Sequence, residues 1–169
     1  MVEDTLKEFI EKHIDLIEQQ NFKKLYTIID SEENYDGEYS MYHNAGKLTD
    51  LFYKIGVDPL KGSDEIYPNM FVRSEIDHFD FPQGIKKLGT AAFYSCRNLN
   101  TIVIPEGVTA IPYECFAETY LEWIQIPDSV QMIDAGAFEY DNLFYIKCNL
   151  GSHADEWAKD HDIVVEYLS

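Results

Sequence analysis

Four phenylalanines recur at nearly equal intervals, and this repeat constrains the fold of the chain more than any other feature. Phe71, Phe93, Phe116 and Phe138 are 22, 23 and 22 residues apart. An isoleucine or a phenylalanine follows each of them eight or nine positions later. A repeat of this length is typical of solenoids, in which successive units stack on one another. The sequence therefore predicts four repeats of 22–23 residues, the first of them shortened at its front.

Each unit contains a segment with the spacing of a short β-strand. In the third unit, Ile124 and Ile126 alternate with Trp123 and Gln125, as the period of two in a strand requires. Pro127 has no N–H to donate to a neighbouring strand, so the strand ends there. One unit cannot bury its apolar side alone, so neighbouring units are expected to share one core. We therefore expect one short strand in each repeat.

Four copies of the unit align along the chain: IYPNMFVRSEIDHFDFP, FPQGIKKLGTAAFYSCRNLNTIVIP, IPEGVTAIPYECFAETYLEWIQIP and IPDSVQMIDAGAFEYDNLFYIKC. They resemble the BspA-like leucine-rich repeat family. The resemblance covers about residues 66–169 and does not include the first 60. It implies an α/β leucine-rich-repeat solenoid that finishes with a short helix and a last strand. Because many members of that family are exported surface proteins, it also implies one alternative, an exported adhesion-type repeat protein.

The first 60 residues precede the repeats and have the periodicity of helices. Apolar residues recur at intervals of three and four over Val2–Gln20, Phe22–Ile29 and Ala45–Ile55, which predicts three amphipathic helices. The open end of a solenoid exposes apolar core. We therefore expect residues 1–60 to form an α-helical N-terminal cap on repeats that occupy residues 61–150. An independent helical interaction module is the alternative.

Residues 151–169 are predicted to form a C-terminal cap of one helix and one strand. Ser152 followed by Asp155 is typical of a helix N-terminus, because the serine hydroxyl accepts a backbone N–H of the first turn. The segment Ile163–Tyr167 is rich in β-branched residues and is expected to form a closing edge strand.

The chain is strongly acidic, with 31 Asp and Glu residues against 13 Lys and Arg and a formal net charge of −18. This charge repels nucleic-acid backbones and anionic membrane surfaces, so neither is an expected partner. One interpretation of this charge is that it keeps the protein soluble. The other is that it attracts a partner protein with a basic surface. The N-terminus lacks the basic and apolar regions of a signal peptide, which favours a cytoplasmic protein. A mature extracellular protein is the alternative.

The sequence contains none of the common catalytic or phosphate-binding motifs. Asp77, His78 and Asp80 are close together, but a strand would direct them to different faces. His153 and His161 flank the predicted C-terminal helix, where a solvated surface is the first interpretation. The three cysteines lack metal-ligand spacing, and Cys115 and Cys148 are interpreted as buried thiols. We therefore expect a non-enzymatic protein without a metal or a cofactor.

The outward positions of the predicted strands define one candidate binding face. Neighbouring strands lie about 4.8 Å apart, so the column His78, Thr101, Trp123 and Tyr145 would span about 15 Å. Solvent-facing Trp and Tyr grouped in space are typical of protein-binding surfaces, and internal packing by the C-terminal segment is the alternative. The predicted partner-binding residues are Asp77, His78, Asp80, Thr101, Glu122, Trp123, Gln125, Phe144 and Tyr145.

Three functional hypotheses stay open, and the least favoured is an enzyme or a carbohydrate-binding protein, because the sequence shows no convergent polar site. The first is a protein–protein interaction module that binds through the exposed strand face. The second is a small acidic inhibitor, encoded by a phage or another mobile element, that mimics nucleic acid and blocks a basic surface on its partner.

Overall fold

The computed structural model describes residues 2–31, 40–140 and 145–169 of the chain. Within these ranges, helices come first and short strands dominate the rest. The helices are α1 (Val2–Lys12), α2 (Ile14–Glu18), α3 (Phe22–Ser31), α4 (Ala45–Lys54) and α5 (His153–Asp160), with a 3-10 turn at Tyr42–Asn44. The strands are β1 (Glu65–Ile66), β2 (Lys87–Leu88), β3 (Thr101–Val103), β4 (Ala110–Ile111), β5 (Trp123–Gln125), β6 (Met132–Ile133), β7 (Tyr145–Cys148) and β8 (Val164–Tyr167).

The main sheet contains four parallel strands in the order β3-β5-β7-β8. Thr101 pairs with Trp123, Trp123 with Tyr145, and Tyr145 with Val164, so equivalent positions lie side by side. A repeat of fixed length predicts this register, because each turn of the solenoid returns the chain to the same position. The α/β leucine-rich-repeat solenoid expected from the sequence is confirmed.

The expectation of one short strand in each repeat needs a correction. Strands β1 and β2 pair with each other, and β4 pairs with β6, in two further two-stranded sheets. The first repeat contributes no strand to the main sheet, since residues 77–81 form no β-pairing. There Phe79 and Phe81 pack edge-on against Phe93, with ring centroids 5.2 and 6.0 Å away. These rings replace the isoleucines of the later repeats, and the segment does not lie flat beside β3.

The first predicted helix is interrupted at His13, which separates α1 from α2 with φ −119° and ψ 22°. Gln20, in the left-handed region at φ 54°, follows α2, and the Asn21 side chain accepts the backbone N–H of Lys24 at the start of α3. The break lets the short α2 lie against α3. The apolar spacing continues through His13, so the sequence pattern alone does not reveal this change of direction.

The N-terminal helices cover the first end of the solenoid through buried contacts. Tyr26 of α3 stacks on Tyr67 of the first repeat, with ring centroids 5.5 Å apart. Its hydroxyl hydrogen-bonds to Thr49 of α4, whose own hydroxyl donates to the carbonyl of Met70. Complete burial raises the pKa of Tyr26 above its ordinary value. Helices and repeats thus share one core.

The four repeating phenylalanines form a column of stacked rings along the solenoid axis. Successive centroids of Phe71, Phe93, Phe116 and Phe138 are 5.0, 5.3 and 5.7 Å apart, with interplanar angles of 4°, 10° and 12°. Trp157 of α5 ends the column, 5.5 Å from Phe138. Offset stacking of this kind contributes about 0.5–1.5 kcal/mol per pair beyond the burial of apolar area.

A left-handed backbone position recurs two residues after each phenylalanine. Arg73, Ser95, Glu118 and Tyr140 have φ values of 56°, 57°, 54° and 58°. The N–H groups of the first three donate to carbonyls of the following repeat at 2.9, 2.9 and 3.0 Å. The hydrogen bonds between repeats offset the cost of a conformation that side chains normally avoid.

The C-terminal cap has the predicted helix and strand. The Ser152 hydroxyl accepts the N–H of Asp155 at 3.2 Å, which confirms the predicted N-cap. The Asp155 carboxylate is fully buried and accepts hydrogen bonds from the Gly151 N–H, the Lys159 ammonium and the Tyr167 hydroxyl. One carboxylate therefore connects the start of α5, its last turn and the end of β8.

Candidate protein-binding face

The strand face is the outward side of the main sheet. Between its outward positions, Ile102, Ile124 and Ile146 point inward and are buried, so alternation fixes which side chains face out. Two in-register rows result. They are Thr101, Trp123, Tyr145 and Val164, followed by Val103, Gln125, Lys147 and Glu166.

A lysine lies across the two aromatic rings of the strand face. The Lys147 ammonium is 4.2 Å from the centroid of the Trp123 ring and 5.6 Å from that of Tyr145. It also lies 3.4 Å from a carboxylate oxygen of Glu166 on β8. Cation–π attraction and the ion pair hold these side chains in one arrangement. The face therefore presents an ordered aromatic and charged cluster.

The rings of the strand face remain partly exposed. Trp123, Tyr145, Thr101 and Gln125 are half-buried, and Val164 is 66% exposed. The alternative to a binding face was internal packing, with the C-terminal segment lying over these rings. In the structure, β8 extends the sheet beside β7. Trp157 packs on Phe138 and on His161, whose ring lies 3.9 Å away.

Three of the predicted binding residues are separate from the main sheet. Asp77, His78 and Asp80 belong to the part of the first repeat without β-pairing, and all three are exposed. His78 Nε2 lies 3.1 Å from a carboxylate oxygen of Asp80. Residues two apart on a strand share a face, so strand alternation would separate only Asp77 from this pair. The expected column starting at His78 therefore needs a correction, because the paired column starts at Thr101.

The structure places other predicted residues on or beside the face and adds new ones. Glu122 is exposed just before β5, and its N–H donates to the carbonyl of Asn100 at 2.7 Å. Phe144 lies outside the described residues. Val164 and Glu166 belong to the face but were not among the predicted residues. Alternation within β8 was visible in the sequence, but the pairing of β8 with β7 was not.

The three cysteines are buried and lie away from the face. Cys96, Cys115 and Cys148 are all free thiols with no exposed surface. Burial raises the pKa of each thiol above its ordinary value, and Cys96 donates to the carbonyl of Phe71 at 2.9 Å. The interpretation of Cys115 and Cys148 as buried thiols is confirmed, and Cys96 is buried as well. A raised pKa disfavours the thiolate that nucleophilic chemistry or metal binding would need.

Neither a metal-binding cluster nor a membrane-spanning helix is found among the described residues. In residues 2–31, 40–140 and 145–169, no three His, Cys, Asp or Glu side chains are grouped so as to hold a metal ion. No helix in the same ranges has the length and apolar character needed to cross a membrane.

Comparison with known proteins identifies the family. The family model described as the BspA type leucine rich repeat region, six copies, matches residues 64–153, which is more than half of the chain. The chain belongs to this family. No curated protein and no solved structure matches it. Leucine-rich repeats generally mediate interactions between proteins and are typically non-enzymatic.

Proposed function

We propose that this protein is a non-enzymatic binding module whose contact surface for another protein is the strand face. The supporting observation is the in-register row of Thr101, Trp123, Tyr145 and Val164, which is partly exposed across four strands. Trp and Tyr are enriched among the residues that dominate binding energy in protein interfaces. A rigid parallel sheet and the contacts of Lys147 hold these rings in place, so binding costs little conformational entropy.

The charge of the C-terminal half favours a partner with a basic surface. From residue 98 to residue 169 there are 13 acidic residues, and the basic ones are Lys147 and Lys159. Both lysines are paired internally, with Glu166 at 3.4 Å and with Asp155 at 2.8 Å. Exposed carboxylates such as Glu122 therefore set the electrostatic field beside the strand face. Such a field steers a basic partner and repels an acidic one.

The first test removes the rings of the strand face. The double variant Trp123→Ala, Tyr145→Ala is compared with Tyr120→Ala, Met132→Ala, whose side chains are 51% and 57% exposed outside the face. We expect the partner that copurifies with the wild type to bind the face variant at least about 30-fold more weakly, since truncating a binding hot spot costs about 2 kcal/mol or more. The measurement is calorimetric titration of that partner.

The control variant should bind as the wild type does, and both variants should melt within a few degrees of it. If the face variant binds the partner as tightly as the wild type does, the strand face is not the contact surface. A collapse of its Tm would show that Trp123 and Tyr145 act as core residues.

The second test concerns the charge of the partner. The dissociation constant of the same complex is measured between about 50 and about 500 mM sodium chloride. If a basic surface meets these carboxylates, the affinity falls about tenfold or more over this range, because salt screens the attraction between exposed charges. An affinity that does not change with salt would contradict the basic partner and leave the aromatic contact as the source of binding.

A further inference from the structure

A polar cleft that shares no residue with the strand face lies where α4 meets the turns after Phe71 and Phe93. Its volume is about 630 Å³. Lys47 comes from α4, Arg73 from the first turn, and Arg97 from the second. The side chains that define the cleft are Lys47, Arg73, Glu75, Ser95, Arg97 and Asn98.

The chain contains two arginines, and both line this cleft. Arg73 and Arg97 converge there with Lys47, in a protein whose formal net charge is −18. A guanidinium group offers a planar fork of N–H donors that fits two oxygens of a phosphate or a carboxylate. Three cations from three segments therefore surround a space in which an oxyanion would be stabilised.

Tight packing fixes Lys47 relative to the first turn. The neighbouring Gly46 donates its N–H to the carbonyl of Val72 at 3.1 Å. A Cβ at Gly46 would lie 2.4 Å from that oxygen and 2.6 Å from the nitrogen of Ser74, so only glycine allows α4 to come this close. The Ser74 hydroxyl then donates to Asp50 of α4 at 2.6 Å. The position of α4 beside the cleft is thus built into the fold.

The cations of the cleft are available to a ligand. Among the described residues, neither Lys47 nor Arg73 has a carboxylate within 4.0 Å. Arg97 uses one nitrogen to contact Glu118 at 3.2 Å, which orients its guanidinium group. Among the described residues, Glu75 is the one acidic side chain in the lining, against three basic ones. The described lining therefore has an excess of positive charge, although the chain as a whole is acidic and Glu118, beside the lining, offsets part of the charge of Arg97.

We propose that this cleft binds a phosphate group, held by Lys47, Arg73 and Arg97, with the hydroxyl of Ser95 as a further donor. A phosphate has three or four oxygens arranged tetrahedrally, so it can accept from three cations that approach from different segments. A carboxylate has two oxygens in one plane and satisfies fewer of them. The net positive lining also favours a dianion over a monoanion.

The test uses the arginine side chains as probes. In a spectrum of ¹⁵N-labelled full-length protein, the Nε–Hε groups of Arg73 and Arg97 give two signals, because the chain has two arginines. Sodium phosphate is titrated at constant ionic strength, with sodium chloride replaced in step. Saturable shifts of both signals are expected. Shifts that grow linearly without saturating, or that chloride reproduces, would overturn the proposal.

Variants then assign the site. Arg73→Gln and Arg97→Lys are each expected to bind phosphate about tenfold more weakly, since the first removes a charged, forked donor and the second keeps the charge but removes the fork. Lys86→Gln is the matched control, because Lys86 is an exposed cation outside the cleft, and it should bind as the wild type does. Equal affinity in all three variants would overturn the assignment. The wild-type titration gives its answer even if a variant fails to fold.

Comparing a phosphorylated peptide with inorganic phosphate identifies which class of molecule brings the phosphate group to the cleft. An adjoining groove of about 920 Å³ shares Lys47 and Glu75 with the cleft and is lined by Leu6, Ile10 and Leu51. A short peptide with one phosphoserine and flanking apolar residues should bind more tightly than inorganic phosphate if a phosphorylated peptide is the ligand. Equal affinities would identify a small phosphate compound instead. The same peptide without the phosphate should not displace phosphate from the cleft, and displacement by it would contradict a phosphate site.

Discussion

At the scale of single residues, Asp155 shows how one side chain can act in both local and tertiary structure. Its backbone N–H completes the predicted N-cap of α5, and its buried carboxylate connects Gly151, Lys159 and Tyr167. The hydrogen bond from the Lys159 ammonium, followed by the bond from the Gly151 N–H, lowers the pKa of Asp155 below its ordinary value. The ionised carboxylate therefore stabilises the folded state.

The variant Asp155→Asn should melt at a lower temperature than the wild type at neutral pH, and this difference should shrink in acid. The pKa of Asp155 in the folded state is lowered, so its stabilisation is fully present above the ordinary value of about 3.9 and is lost as the pH falls through the lowered value. The measurement is Tm against pH from 7 to about 2. Glu156→Gln, at the exposed neighbouring position, should show no such trend. A constant difference down to the lowest pH would refute this role.

At the scale of elements, the left-handed turns after each phenylalanine are the part of the repeat that residue types do not reveal. Glycine or asparagine normally signals such a turn, but Arg73, Ser95, Glu118 and Tyr140 occupy it here. Hydrogen bonds to the next repeat hold the first three. The break at His13 is similar, because the helical periodicity runs through it and the packing of α2 on α3 decides it. Both features depend on neighbours distant in sequence.

Tyr140 allows the backbone cost to be measured apart from side-chain packing, since it is 79% exposed at φ 58°. We expect Tyr140→Gly to be more stable than Tyr140→Ala by about 1 kcal/mol, because both remove the ring but only glycine adopts this φ without a steric cost. Urea unfolding of the two variants gives the comparison. Equal stabilities, or a more stable alanine variant, would show that the turn holds no strain.

At the scale of the whole molecule, the column of phenylalanines joins the repeats to the C-terminal cap. Each ring contacts the ring of the next repeat, and Trp157 closes the column. The helices at the other end share the same core through Tyr26 and Tyr67. Repeats contact mainly their neighbours, so cooperativity passes through this column together with the strand pairing and hydrogen bonds between successive repeats.

Phe116→Ala should therefore destabilise the entire chain, by about 3–5 kcal/mol, because a fully buried ring is removed from the middle of the column. Phe138→Ala should cost less, since Phe138 is only partly buried. Denaturant unfolding followed by far-UV circular dichroism and by fluorescence of Trp123 and Trp157 should give coincident transitions in both variants. Two separate transitions would mean that the repeats unfold independently. A smaller loss of stability for Phe116→Ala than for Phe138→Ala would contradict the central role of the buried ring.

The sequence by itself determined the solenoid, its four repeats, the buried thiols and the N-cap at Ser152, because each depends on spacing or on residues close together in the chain. Only the tertiary structure decided which strands pair and where the first repeat departs from the sheet, since Phe79 and Phe81 pack on a ring of the next repeat. It also decided that Lys147 covers Trp123 and that Arg73 and Arg97 line one cleft. These contacts join residues 12 to 24 positions apart in sequence, and only the stacking of one repeat on the next brings them together.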